Sequence, residues 1–166
     1  AGNIGTLIIG EDLVGIGNYA FYECTGLNDV EFGNGITVIG NYAFAGCGSM
    51  RDVSIPEKCN LGQIGDHAFY NCTNLTSFTL PISVKYIGDY AFAECRFLSD
   101  FEMCNSGDGT SASNLKELGW NVFENCETLS SLTFPESYNE ALDISAFKGC
   151  KNLRHITARS KQMTFT

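Results

Sequence analysis

Ile16-Gly-Asn-Tyr-Ala-Phe-Tyr-Glu-Cys24 returns as Ile39-Gly-Asn-Tyr-Ala-Phe-Ala-Gly-Cys47, Ile64-Gly-Asp-His-Ala-Phe-Tyr-Asn-Cys72 and Ile87-Gly-Asp-Tyr-Ala-Phe-Ala-Glu-Cys95. Two looser copies follow, Leu118-Gly-Trp-Asn-Val-Phe-Glu-Asn-Cys126 and Leu142-Asp-Ile-Ser-Ala-Phe-Lys-Gly-Cys150. The leading residues are 23, 25, 23, 31 and 24 apart, so the unit is about 23 residues with insertions near Lys58 and across Asn105 to Asn114. A partial unit (1–15) opens the chain, since Leu7, Ile9, Leu13 and Ile16 lie 23 residues before Val30, Phe32, Ile36 and Ile39. Self-similarity at such a period marks a solenoid: one unit cannot bury its own apolar face, and stacked neighbours close it.

Within each unit the third residue after Cys is apolar, and apolar residues follow three and five positions later. The sets are Leu27/Val30/Phe32, Met50/Val53/Ile55, Leu75/Phe78/Leu80, Leu98/Phe101/Met103, Leu129/Leu132/Phe134 and Leu153/Ile156/Ala158. The alternation at the end of this L-x-x-L-x-L rhythm predicts a short strand, in the manner of leucine-rich repeats. Ala20, Phe21, Cys24 and Leu27 stand at offsets 0, 1, 4 and 7, a spacing that predicts a short helix or 3₁₀ turn before the strand. Gly33-Asn-Gly35, Pro56, Pro81 and Pro135 mark turns after strands. The expected fold is an α/β repeat: a right-handed leucine-rich repeat solenoid, with parallel strands on a concave face and helices or 3₁₀ turns on the convex side. Residues 1–166 read as one such domain of about six units, starting near 16, 39, 64, 87, 118 and 142.

The string I-G-x-x-A-F-x-x-C-x-x-L, followed by V-x-F/L-P and I-x-x-I-G, resembles the BspA-like leucine-rich repeat family and covers nearly the whole chain. The resemblance implies an extracellular or cell-surface protein that takes part in adhesion or host interaction through its curved surface. It implies no catalytic motif position, so the chain is expected not to be an enzyme and to need no cofactor. A scaffold family does not by itself fix function, which has to come from the variable positions.

In such a strand the residues between the inward ones point outward, onto the expected concave face. Two ladders result. The first is Thr6, Asp29, Asp52, Ser77, Asp100, Ser131 and His155; the second is Ile8, Glu31, Ser54, Thr79, Glu102, Thr133 and Thr157. Five carboxylates and seven hydroxyls, with no Lys, Arg or aromatic residue, make a polar, acidic face suited to a basic protein or a glycan. The same residues also serve the ordinary task of keeping a strand solvated. A third ladder, Tyr19, Tyr42, His67 and Tyr90, reads as a packing stack rather than an exposed aromatic stripe.

A net charge of −9, with only ten Lys and Arg scattered along the chain, argues against nucleic acid. No run of apolar residues is long enough to cross a membrane, and the N-terminus carries no basic leader. Six of the eight cysteines (Cys24, Cys47, Cys72, Cys95, Cys126, Cys150) hold one repeat position and so point the same way, which predicts buried free thiols rather than bridges. Cys59 and Cys104 fall outside the motif in different coils, and a bridge between them would need the insertions to fold back. Without a C-x-x-C pair and with two His, a zinc site is not expected.

Gly15-Ile-Gly17-Asn-Tyr-Ala20 imitates a dinucleotide fingerprint, but the repeat explains it and no βαβ pattern follows. The run Asn105-Ser-Gly-Asp-Gly-Thr-Ser-Ala-Ser-Asn114 reads as a polar surface bulge; Asn105 and Asp108 lack the spaced carboxylates of a calcium loop. Two sequons, Asn71-Cys-Thr73 and Asn74-Leu-Thr76, matter only in a eukaryotic secretory setting. The resulting expectation is a non-catalytic binding module for an extracellular protein or glycan, acting as a monomer or by end-to-end association. The alternative is a spacer solenoid that displays neighbouring domains. Partial units at both ends suit a fragment of a longer surface protein.

Overall fold

The computed structural model describes residues 4–103 and 113–166. Fourteen short strands, numbered in chain order, alternate between two faces. The odd-numbered strands, β1 (Thr6–Ile8), β3 (Asp29–Glu31), β5 (Asp52–Ser54), β7 (Ser77–Thr79), β9 (Asp100–Glu102), β11 (Ser131–Phe134) and β13 (His155–Ala158), are those expected from the L-x-x-L-x-L rhythm. The even-numbered ones, β2 (Gly15–Ile16), β4 (Val38–Ile39), β6 (Gln63–Ile64), β8 (Tyr86–Ile87), β10 (Glu117–Leu118), β12 (Ala141–Leu142) and β14 (Thr164–Phe165), build a second face that the repeat pattern did not announce. All pairings are parallel and join counterpart residues of successive coils, as in Asp29 to Asp52 and Ile39 to Ile64. The odd strands form the sheets β1-β3-β5, β7-β9 and β11-β13. Their breaks fall where the step between counterparts rises from 23 residues to 25 (Asp52 to Ser77) and 31 (Asp100 to Ser131).

The α/β expectation is corrected. Among the described residues there is no α-helix, and the single 3₁₀ helix is Ile144–Phe147. The segment with helical spacing is instead a chain of tight turns whose amide donors alternate in direction. Ala20, Tyr22 and Cys24 N–H donate to the carbonyls of Gly17, Tyr19 and Phe21 within the coil, at 3.1 to 3.3 Å. Tyr19, Phe21 and Glu23 N–H donate across to Asn41, Ala43 and Ala45 of the next coil, at 2.7 to 2.9 Å. A helix would turn all of these donors inward on itself; here every second one ties two coils together. The alternation requires left-handed residues at two motif positions, seen at Tyr19 (φ 58°) and Glu23 (φ 53°) and at their counterparts Tyr42, His67, Tyr90 and Asn121, and Gly46, Asn71, Glu94, Asn125 and Gly149. Such a conformation costs a residue with a side chain about 1–2 kcal/mol, which the inter-coil bonds and stacked rings offset.

Two columns explain the Ile-Gly-Asn/Asp triplet. Oδ1 of Asn18 accepts from Asn41 N–H at 2.8 Å, Asn41 Oδ1 from Asp66 N–H at 2.9 Å, Asp66 Oδ1 from Asp89 N–H at 2.9 Å, and Asp89 Oδ1 from Trp120 N–H at 2.8 Å. This ladder presses each coil onto the one before it so closely that a Cβ on Gly40, Gly65, Gly88 or Gly119 would strike the Asn or Asp beneath it. In the last unit Asp143 replaces that glycine, its carboxylate caps Ser145 N–H at 2.8 Å, and the turn becomes the 3₁₀ helix.

The core is one continuous stack. Phe21, Phe44, Phe69, Phe92, Phe123 and Phe147 lie face to face at centroid spacings of 5.2 to 6.1 Å. Beside them run the repeat cysteines, and from Cys47 onward their Sγ–H groups donate to the Phe carbonyl of the preceding coil at 3.0 to 3.2 Å. The inward residues of the strand rhythm are buried or half-buried except Ala158, which lies in the last odd strand and is exposed.

Candidate functional site

The outward ladders stand where the alternation puts them. Register pairs Thr6 with Asp29, Asp29 with Asp52, Ser77 with Asp100, and Ser131 with His155; on the second ladder it pairs Ile8 with Glu31, Glu31 with Ser54, Thr79 with Glu102, and Thr133 with Thr157. Asp29 and Thr133 are half-buried and the other twelve residues are exposed. In-register neighbours lie about 4.8 Å apart along the ladder, so the carboxylates of Asp29 and Asp52 are adjacent like charges. That arrangement disfavours the empty face by a few tenths to 1 kcal/mol. At Asp100, Ser99 Oγ–H donates to Oδ2 at 3.0 Å.

Four of these residues meet around one cleft. Asp100 and Glu102 of β9 face Ser131 and Thr133 of β11 across about 420 Å³, with Phe101, Met103 and Leu132 completing the lining. It opens where β9 and β11 are not hydrogen-bonded to each other. The remaining ladder residues are spread along the face rather than gathered.

The third ladder is a packing stack, as expected: Tyr19, Tyr42, His67 and Tyr90 lie nearly parallel at 4.4 to 5.0 Å. Its first ring, Tyr19, is exposed, and the others are half-buried. His67 Nδ1 is buried without a hydrogen-bond partner among the described residues, and burial lowers the imidazole pKa against the opposing pull of Asp66 and Asp89.

Burial raises the thiols of Cys47, to about 12, and Cys150, to about 11, and those of Cys72 and Cys95 well above the ordinary value. They are thus packing groups rather than nucleophiles. Seven cysteines are free among the described residues, with Cys59 buried and its Sγ 4.0 Å from Ser83 Oγ. Cys104 lies outside the described residues, and with it the Cys59–Cys104 pairing; so do Asn105 and Asp108 of the bulge. Asn71 and Asn74 of the two sequons are exposed. No described helix is long and apolar enough to cross a membrane.

The repeat rhythm assigns no role to Trp120, the only tryptophan of the chain. It takes the column held by Asn18, Asn41, Asp66 and Asp89 in the earlier units, and it is 72% exposed. A large ring replacing a ladder acceptor, on the outside of the molecule, was the signal for a surface feature there.

The sequence matches the BspA type leucine rich repeat region in six copies, over residues 1–113 and 63–166. The fold is similar to that of the T. pallidum leucine-rich repeat protein, with a TM-score of 0.84 and 26% identity, covering 99% of this chain and 74% of that one. A leucine-rich repeat protein from Bacteroides ovatus is similar at a TM-score of 0.80 and 25% identity, over 96% of this chain and 38% of that one. The pneumococcal vaccine antigen PcpA shares the fold at a TM-score of 0.56 and 16% identity, over 95% of this chain and 61% of its own. No curated protein matches the chain.

Proposed function

The chain belongs to the BspA-type leucine-rich repeat family, and on that premise we propose that it is a non-catalytic recognition module of a cell-surface or secreted protein. Its odd-strand face binds a basic extracellular protein or a glycan in adhesion or host interaction. One observation carries this reading: Asp29, Asp52 and Asp100, with Glu31 and Glu102, share a face whose fourteen outward positions hold no Lys or Arg. Adjacent carboxylates repel one another until a cation or a hydrogen-bond donor arrives, so binding a basic surface relieves a cost already present in the free protein. The Asp100/Glu102/Ser131/Thr133 cleft offers hydroxyl and carboxylate acceptors together, which also suits the hydroxyls of a sugar.

The test is binding to immobilised extracellular matrix proteins and to a glycan array, with Asp29→Asn/Asp52→Asn/Asp100→Asn as the comparison. The triple variant is expected to bind at least tenfold more weakly and with a flatter salt dependence. Unchanged capture would remove the odd-strand face as the site and leave the spacer reading, in which the repeats carry neighbouring domains.

A further inference from the structure

We propose that the even-strand face carries a second site, a groove that takes an arginine side chain from an extended segment of a partner protein. The groove encloses about 660 Å³ and lies on the outside of β6, β8 and β10, reaching Glu140 and Ala141 at β12. Tyr86 and Trp120 supply exposed aromatic rings, 42% and 72% accessible. Asp66, Asp89, Glu117 and Glu140 supply carboxylates, and no Lys or Arg is among the residues that line it.

Its shape follows from the repeat. Register places Tyr86 beside Glu117 on one wall. The opposite wall is the Asn/Asp ladder, which ends at Trp120. Gly88 and Gly119 lie between them, glycines because any Cβ would strike the coil beneath, so the floor is bare backbone. Asp66 and Asp89 each spend Oδ1 on the ladder, and Oδ2 of each has no hydrogen bond among the described residues. None of the four carboxylates is in an ion pair among the described residues; the three ion pairs there are Glu94–Arg96, Glu124–Lys148 and Glu127–Lys151. The groove therefore presents acceptors and ring faces with no internal cation.

Charge complementarity selects the occupant. A guanidinium is planar, stacks on aromatic faces and donates in a fork that matches a carboxylate, whereas an ammonium is more strongly hydrated and less suited to a stacked position. The odd-strand ladders offer carboxylates without aromatic rings, so the two faces differ in what they reward. This site does not depend on the odd-strand reading, and the two are separable by variant.

The experiment uses acetyl-tetra-arginine-amide as probe, with tetra-lysine and tetra-glutamate peptides as comparisons, at 150 mM salt. Because Trp120 is the only tryptophan, intrinsic fluorescence reports directly on the groove. Saturable change in emission with tetra-arginine, at least fivefold weaker with tetra-lysine and absent with tetra-glutamate, is the expected result. Anisotropy of the labelled peptide reads the variants. Asp66→Asn/Asp89→Asn keeps the ladder acceptor, since Asn18 and Asn41 already fill that role; with Glu117→Gln added, it should weaken binding at least tenfold while circular dichroism stays that of the parent. Trp120→Ala should weaken it severalfold.

Three results would each overturn the proposal: no binding at millimolar peptide, binding that leaves Trp120 emission unmoved, or loss of binding in Asp29→Asn/Asp52→Asn/Asp100→Asn but not in the groove variants. Equal affinity for the two cationic peptides would overturn the guanidinium assignment.

Discussion

Gly17 and Gly88 hold the same motif position, yet replacing them by alanine should have unequal consequences, slight at Gly17 and destabilising at Gly88. A Cβ on Gly17 meets nothing within 4 Å, because no described Asn or Asp column lies beneath it. A Cβ on Gly88 would sit 2.5 Å from Asp66 N and 2.7 Å from Gly65 C, and against Asp66 Oδ1. The carboxylate can swing away, which leaves Asp89 N–H without its 2.9 Å acceptor at about 1 kcal/mol. The backbone atoms cannot, so the coils must separate, straining the 2.8 Å bond from Gly88 N–H to the Ile64 carbonyl. Overpacking of this kind costs about 1–3 kcal/mol, for a total near 2–4 kcal/mol. With a urea slope of about 2–3 kcal/mol/M for a chain of this size, the midpoint for Gly88→Ala should fall by about 0.7–2 M. Gly17→Ala should stay within about 0.2 M of the parent, on the same slope. Equal midpoints for the two variants would refute the claim that the motif glycine is set by inter-coil contact, and leave only backbone propensity to explain it.

Asp66→Ala should cost about 1 kcal/mol in urea denaturation and Asp66→Asn almost nothing, because the ladder uses an acceptor rather than a charge. Cys47, Cys72 and Cys95 have raised folded pKa values, so their contribution is complete below the ordinary value of 9.0 and is lost as pH rises above it, while the unfolded chain sheds protons first. Stability should fall between pH 9 and 10.5 under reducing conditions, by up to about 1.4 kcal/mol per pH unit for each fully buried thiol, and the melting temperature with it, less steeply in Cys95→Ala. His67 has a lowered folded pKa, so stability is complete above 6.5 and declines as pH falls below it, where the unfolded imidazole takes up a proton first. His67→Tyr, which restores the ring carried by Tyr19, Tyr42 and Tyr90, should flatten the dependence of melting temperature on pH between 6.5 and 5.

The period, the inward residues and the two outward ladders were legible because alternation in a strand is strict: Val30 and Asp29 cannot exchange faces without a register slip that buries a carboxylate. The turn region was misread for an equally physical reason. Offsets of 0, 1, 4 and 7 describe which side chains face the core, and both a helix and a run of tight turns can put Ala20, Phe21, Cys24 and Leu27 there. What separates the two is the direction of the amide donors, and that has a trace in the sequence. The position of Glu23 is filled by Gly46, Asn71, Asn125 and Gly149 in other units, residues that tolerate the left-handed conformation and are poor in a helix interior. The even strands were invisible because two residues such as Gln63 and Ile64 are too short to show a period. Their bonding partners come from another coil.

Where every coil is one step above an identical neighbour, side chains at each height fill the space left by those below, and the surface is a set of even columns. The largest departure from this regularity is the 31-residue step from Ile87 to Leu118. The break between β9 and β11 opens the Asp100/Ser131 cleft on one face. On the other, the same step brings Trp120 to the column where Asp89 stood one coil earlier, and the groove forms around it. Both candidate sites thus border a single irregular coil. With the outward ladder residues, that coil is where the chain can differ from others with the same scaffold, because the inward and turn positions of the regular coils are committed by Phe, Cys, Gly and Asn/Asp contacts to holding one another in place.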